Sequence, residues 1–200
     1  MNYLKYRFNL YKKLYDYSHI MSNTKAKDKV HQLEKVQQAL ERVNDGTKEM
    51  VLEMAKGMTD LEVIRSFNQE VYDFFAILIN VTKRMGVDKE YKIEVHNTFF
   101  EKAIKTNVLL PIEQFTLIIL EFAPEIYTEN EECFLRMSIP DAKLESGNEF
   151  NIIRSEHFKK LWLTLSSDDK SNIKDKIILL TTYAHTYFYQ TLLAMQKQAS

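Results

Sequence analysis

The stretch LEKVQQALERVNDGTKEMVLEMAKGMTDLEVIRSFNQEVYDFFAILINVTKRM, residues 33–85, decides the fold class. Leu33, Val36, Leu40, Val43, Thr47, Met50, Met54, Gly57, Leu61 and Ile64 alternate three and four positions apart. That is the a/d rhythm of helices packed side by side. After Ile64 the phase slips by one and resumes at Phe67, Val71, Phe74, Leu78, Val81 and Met85. Such a slip is a stammer in a coiled coil or a boundary between helices. Two breakers favour the boundary. Asn44-Asp45-Gly46-Thr47 is a turn signal followed by a cap. Gly57-Met58-Thr59-Asp60 sets a C-cap glycine before an N-cap threonine, with Glu62 at the third helical position. The pattern predicts helices near 25–44, 47–57 and 60–85, with one continuous rod as the alternative.

Composition agrees with a helical chain. Four Gly and three Pro among 200 residues are too few for the tight turns a sheet protein needs. With 45% hydrophobic and 12% aromatic residues, the chain can bury a sizeable core. The expected class is all-α: a multi-helix bundle with a heptad-patterned N-terminal region, 1–86, and a C-terminal helical region, 87–200. Gly86 ends the long helix in left-handed geometry, and Asp88 is expected to cap a helix running to about Thr106. Pro111 suits the first turn of the next helix, with Phe115, Ile118, Ile119 and Phe122 facing inward and Pro124 marking its end. Residues 124–149 read as an acidic surface connection with one short helix around 129–137. Phe158, Leu161, Trp162 and Leu165 form a helical stripe, read as core. Ser167 then caps a final long helix, with Asp168 and Asp169 at its positive end and Ile173, Ile177, Leu180, Ala184, Phe188, Leu192 and Met195 inward.

The longest largely apolar stretches, Phe74–Ile79, Phe115–Leu120 and Ile177–Leu180, fall far short of the ~20 residues of a membrane-spanning helix. The single cysteine, Cys133, cannot form an internal disulfide and fits a reducing compartment. The start of the chain has no apolar signal core, so an intracellular location is expected. The net charge of −1 points to neither a generally basic nucleic-acid binder nor an acidic mimic.

The chemistry of common enzyme classes has no match. Glycines at 46, 57, 86 and 147 are too scattered to cradle a phosphate. One thiol cannot build a CxxC zinc site, and His19, His31, His96, His157 and His185 form no HExxH. Carboxylates near Cys133 oppose thiolate formation, which leaves it a small apolar core residue. Glu90, Glu94 and Glu101 lie at helical spacing and suit a metal face, but such stripes are usually solvated surface. No catalytic residue, cofactor or metal is expected.

Three surfaces stand out. Lys5, Arg7, Lys12 and Lys13 interleave with Tyr3, Tyr6, Phe8, Tyr11 and Tyr15. This pattern grips phosphates while stacking on bases, or lies on an anionic membrane, or packs its tyrosines on neighbouring helices. The contact candidates are Lys5, Arg7, Tyr11, Lys12 and Lys13. The seam through Leu33, Val36, Leu40, Val43, Met50 and Met54 is either the interior of a single-chain bundle or a junction between copies. The acidic segment offers a dock for a basic partner, including the N-terminus of another copy.

The run Phe158-Lys159-Lys160-Leu161-Trp162-Leu163-Thr164-Leu165-Ser166, followed by Lys170 and Ile173, resembles a segment of poorly characterised helical proteins of nucleocytoplasmic large DNA viruses. In those, an aromatic-x-x-apolar-Trp helix leads through Leu-Ser into a capped second helix. The resemblance covers about residues 105–190. It implies a virus-encoded helical protein of the host cytoplasm, viral factory or virion, and it implies no catalytic residues. The leading expectation is a structural or interaction protein, self-associating and partnered by other proteins. The alternative is a nucleic-acid-binding protein using the basic N-terminus.

Overall fold

The computed structural model describes residues 34–136 and 156–197. Helices alone carry the fold, and no strand occurs among the described residues. In chain order they are α1 (34–41), α2 (Asp45–Gly57), α3 (Asp60–Arg84), α4 (Asp88–Tyr91), α5 (Ile93–Thr106) and α6 (Leu110–Ile119). A 3-10 turn, Leu120–Phe122, leads to α7 (Ala123–Tyr127), then α8 (Glu132–Arg136), α9 (Glu156–Thr164) and α10 (Ser167–Lys197).

Separate helices, not a rod, occupy residues 34–84. The Asn44 side chain accepts a hydrogen bond from the Thr47 amide at 2.9 Å, which starts α2 at Asp45, two residues before the expected start. Met58 and Thr59 are extended and end α2 after Gly57. The expected capping box then opens α3. The Glu62 amide donates to Thr59 Oγ1 at 3.3 Å, and the Thr59 amide donates to Glu62 Oε2 at 2.7 Å. Gly86, at φ 72°, closes α3, and the Val87 amide reaches back to the Thr82 carbonyl at 2.9 Å.

Five local expectations are corrected. The helix expected from Asp88 to Thr106 is broken at Lys92, which adopts the left-handed conformation (φ 49°, ψ 38°). Residues two apart point about 200° apart around one helix, yet Tyr91 and Ile93 are both buried. The break lets both face the core. Val87, with no side-chain cap, stands where Asp88 was expected to cap. Pro124 opens α7 instead of only ending α6, because a first turn does not need the N–H that proline lacks. On α6 the buried face is Ile112, Thr116 and Ile119, while Phe115, Ile118 and Phe122 are half-buried. Phe115 and Phe122 still pack against the core, Phe115 on Phe67 with ring centroids 5.3 Å apart. The cap of α10 is Ser166, one residue early: the Asp169 amide donates to its Oγ at 3.2 Å, and that hydroxyl donates to Asp169 Oδ2 at 2.7 Å.

The long C-terminal helix α10 is the spine. It packs against α3, α2, α6 and α7. Its Ile173, Ile177, Leu180 and Ala184 join Val36, Leu40 and Val43, the α3 residues Phe67, Phe74, Leu78 and Val81, and Phe158, Leu161 and Trp162 of α9 in one hydrophobic cluster. Residues from both regions of the chain, 1–86 and 87–200, therefore build the same core. Phe158 and Trp162, an i, i+4 pair with centroids 6.0 Å apart, are fully buried, as the stripe predicts. Each aromatic of this size removes roughly 150–250 Å² from water.

Candidate functional site

The basic and aromatic contact candidates Lys5, Arg7, Tyr11, Lys12 and Lys13, and the first seam residue Leu33, lie outside the described residues. The rest of the seam divides. Val36, Leu40 and Val43 sit in the chain's own core. Beyond the Asn44 turn the pattern faces outward until Ile64, which is core again: Met54 is half-buried, Gly57 is exposed, Met50 is 47% exposed and Leu61 is 48% exposed. The buried residues of α2 are Val51 and Ala55, one position on from the seam. One position is about 100° of helix rotation, so the heptad row runs along the flank of α2 and continues onto the first turn of α3.

The Pro124–Glu149 segment contributes α7 and α8 among the described residues; 137–149 lie outside them. Two of its carboxylates, Glu129 and Glu131, are fastened to α10. Lys174 Nζ lies 3.2 Å from Glu131 and 3.6 Å from Glu129. Other ion pairs join elements distant in sequence. Lys176 meets Glu70 at 2.5 Å and Asp73 at 3.6 Å, and Arg84 holds both oxygens of Asp169. The Ser166 hydroxyl, then Arg84, hold the Asp169 carboxyl below its ordinary range. Of the carboxylates weighed as a metal face, Glu94 pairs with Lys83 at 2.7 Å and Glu101 accepts from Asn97. No group of three His, Cys, Asp or Glu among the described residues is placed to hold a metal ion. An open cleft of about 380 Å³ lies at the α3–α4–α5 corner, lined by Ile79, Lys83, Lys89, Lys92 and Val95 among others.

Sequence reasoning missed a buried polar row on α10. Thr181, Thr182, His185, Thr186 and Gln190 are all buried. The threonines satisfy themselves locally, donating to the carbonyls one turn back at 2.7–2.9 Å. Gln190 Nε2 donates to the Met58 carbonyl at 2.7 Å and the Ala55 carbonyl at 3.4 Å, binding the end of α2 to the spine. These are carbonyls that a helix C-terminus leaves without intrahelical partners. His185 is 0% exposed. Its Nδ1 lies 3.3 Å from Tyr127 Oη, its ring centroid 4.6 Å from that of Tyr189, and its Nε2 is buried without a partner among the described residues. Burial, then the Lys48 charge, lowers the imidazole pKa to about 4, and burial raises the Tyr127 phenol to about 12. Both groups are neutral at pH 7. A signal for this row exists in the sequence. Positions 181, 182, 185, 186 and 190 fall on one side of a 3.6-residue helix, bordering the apolar residues.

No family model matches the chain, and no solved structure matches it. The protein named "Uncharacterized protein R465" of Acanthamoeba polyphaga mimivirus is 51% identical to it over 166 residues, 83% of this chain and 92% of that protein. This likeness is longer than the stretch 105–190 that carried the resemblance and reaches into the heptad-patterned half.

Proposed function

Because the chain belongs to the family of this mimivirus protein, among the helical proteins of nucleocytoplasmic large DNA viruses, we propose that it is a non-enzymatic interaction protein. It acts as a virion component or assembly factor, through helix packing and self-association. The outward seam carries this reading. Isolated apolar residues on a surface need no explanation. Met50 and Leu61, however, continue a periodic row whose earlier members Val36, Leu40 and Val43 are core. Met54 adds an adaptable apolar side chain between them. Light scattering after gel filtration, across a wide concentration range, tests it. The full chain should run larger than its 23.7 kDa monomer, and the double variant Met50→Glu, Leu61→Glu should return to monomer with unchanged circular dichroism. A monomer at every concentration rejects self-association. Quantitative mass spectrometry of purified particles tests the virion role.

The second reading, nucleic-acid binding, rests on the alternation of Lys5, Arg7, Lys12 and Lys13 with aromatic rings such as Tyr11. Deleting residues 1–21 should abolish binding and its salt dependence. Survival of both would remove those cations as the contact.

A further inference from the structure

We propose that His185 is an acid-sensitive latch: charging its imidazole, packed near Tyr127 and Tyr189, releases α7 and α2 from the spine helix α10. The geometry leaves no place for the charged form. A neutral imidazole offers one N–H and one lone pair, and either tautomer can meet Tyr127 Oη through Nδ1 at 3.3 Å. The imidazolium donates from both nitrogens, and Nε2 has no acceptor among the described residues. An unpaired charge at a fully buried side chain is costly, so acid favours an opened arrangement.

The neighbouring charges do not relieve it. From α2, Lys48 repels the imidazolium, and its ammonium is fixed by the Glu41 carbonyl at 3.0 Å and Asp45 at 3.2 Å. On α7 the carboxylate is Glu125, and it lies 3.8 Å from Arg42 at the end of α1. On α6, Glu113 accepts from Tyr187 at 3.4 Å. The α3 carboxylates Glu70 and Asp73 are held by Lys176. What the latch joins is short. α7 is a five-residue helix, and α2 is tied to α10 at its far end through Gln190.

The sign follows from proton counting. The unfolded or opened chain binds a proton at His185 near pH 6.5, and the closed form near 4. Between those values the open form holds more protons, so closure weakens as pH falls and is strongest above 6.5. The closed-to-open ratio should drop by about 10²-fold from pH 7 to pH 4. The test uses the full chain. Histidine proton NMR follows the imidazole, and hydrogen exchange corrected for intrinsic rates follows residues 45–57 and 123–127. The expected result is an imidazole that stays neutral until near pH 4, with protection of both segments lost as it charges. His185→Phe, which keeps the aromatic volume, should remove the pH dependence of that protection. Should the variant fail to fold, the wild-type titration still decides. An imidazole titrating near pH 6.5 with protection unchanged overturns the latch, as does an equal acid loss of protection in folded His185→Phe.

Discussion

Gly86 and Gly57 each end a helix, and substituting them should have opposite effects. Gly86 holds φ 72°, and a Cβ there would meet nothing within 4 Å. Only the backbone opposes a side chain, so Gly86→Ala should cost about 1 kcal/mol in urea unfolding. Gly57 ends α2 without a positive φ and also has open space around it. Gly57→Ala should therefore stabilise by about 0.5–1 kcal/mol, mainly by restricting the unfolded chain. Both glycines were legible as helix ends, but only structure tells which one needs its missing Cβ. Lys92 shows the opposite case. Its left-handed conformation has no signal in its residue type, because a non-glycine is placed there by the burial of Tyr91 and Ile93 on either side. Phe158, Leu161 and Trp162 were fully legible, since spacing alone puts all three on one helix face, and Leu165, just past the helix end, is buried with them.

At the scale of elements, the caps expected at Asp88 and Ser167 fell one residue off, and a cap was read to the residue where the sequence offers both halves of a reciprocal pair. The Thr59–Glu62 box is one such case, and Thr59→Ala should lower stability by about 1 kcal/mol, measured as a shift in the urea midpoint with an unchanged slope. Side-chain direction around α2 was not legible. A heptad rhythm marks one face of one continuous helix, and the Asn44 turn resets the rotation. After that turn Val51 and Ala55 take the inward positions and Met50 is left outside. The polar row on α10 was missed for a related reason. Threonine hydroxyls that bond their own helix carbonyls behave as apolar shape, so Thr181, Thr182 and Thr186 belong to the core although their residue type reads as surface.

For the whole molecule, the helical class was legible in periodicity and in the scarcity of glycine and proline, but the pairing of distant helices was not. Nothing local announces that Lys176 will meet Glu70 or Arg84 will meet Asp169, contacts that span 106 and 85 positions. Those ion pairs sit near the surface, and raising salt should change stability by less than ~1 kcal/mol per pair. The apolar contacts of α10 matter far more. A chain truncated after Leu165 loses the element shared by α2, α3, α6 and α7. It should show no cooperative unfolding transition by circular dichroism, rather than leaving a folded N-terminal unit. The placement of α10 also sets an order of events in the cell. The 31-residue spine is translated after the helices it supports. At roughly 5–20 residues per second, the nascent polypeptide waits some seconds with its inner surfaces bare, so the ribosome-bound chain is the form most in need of a chaperone.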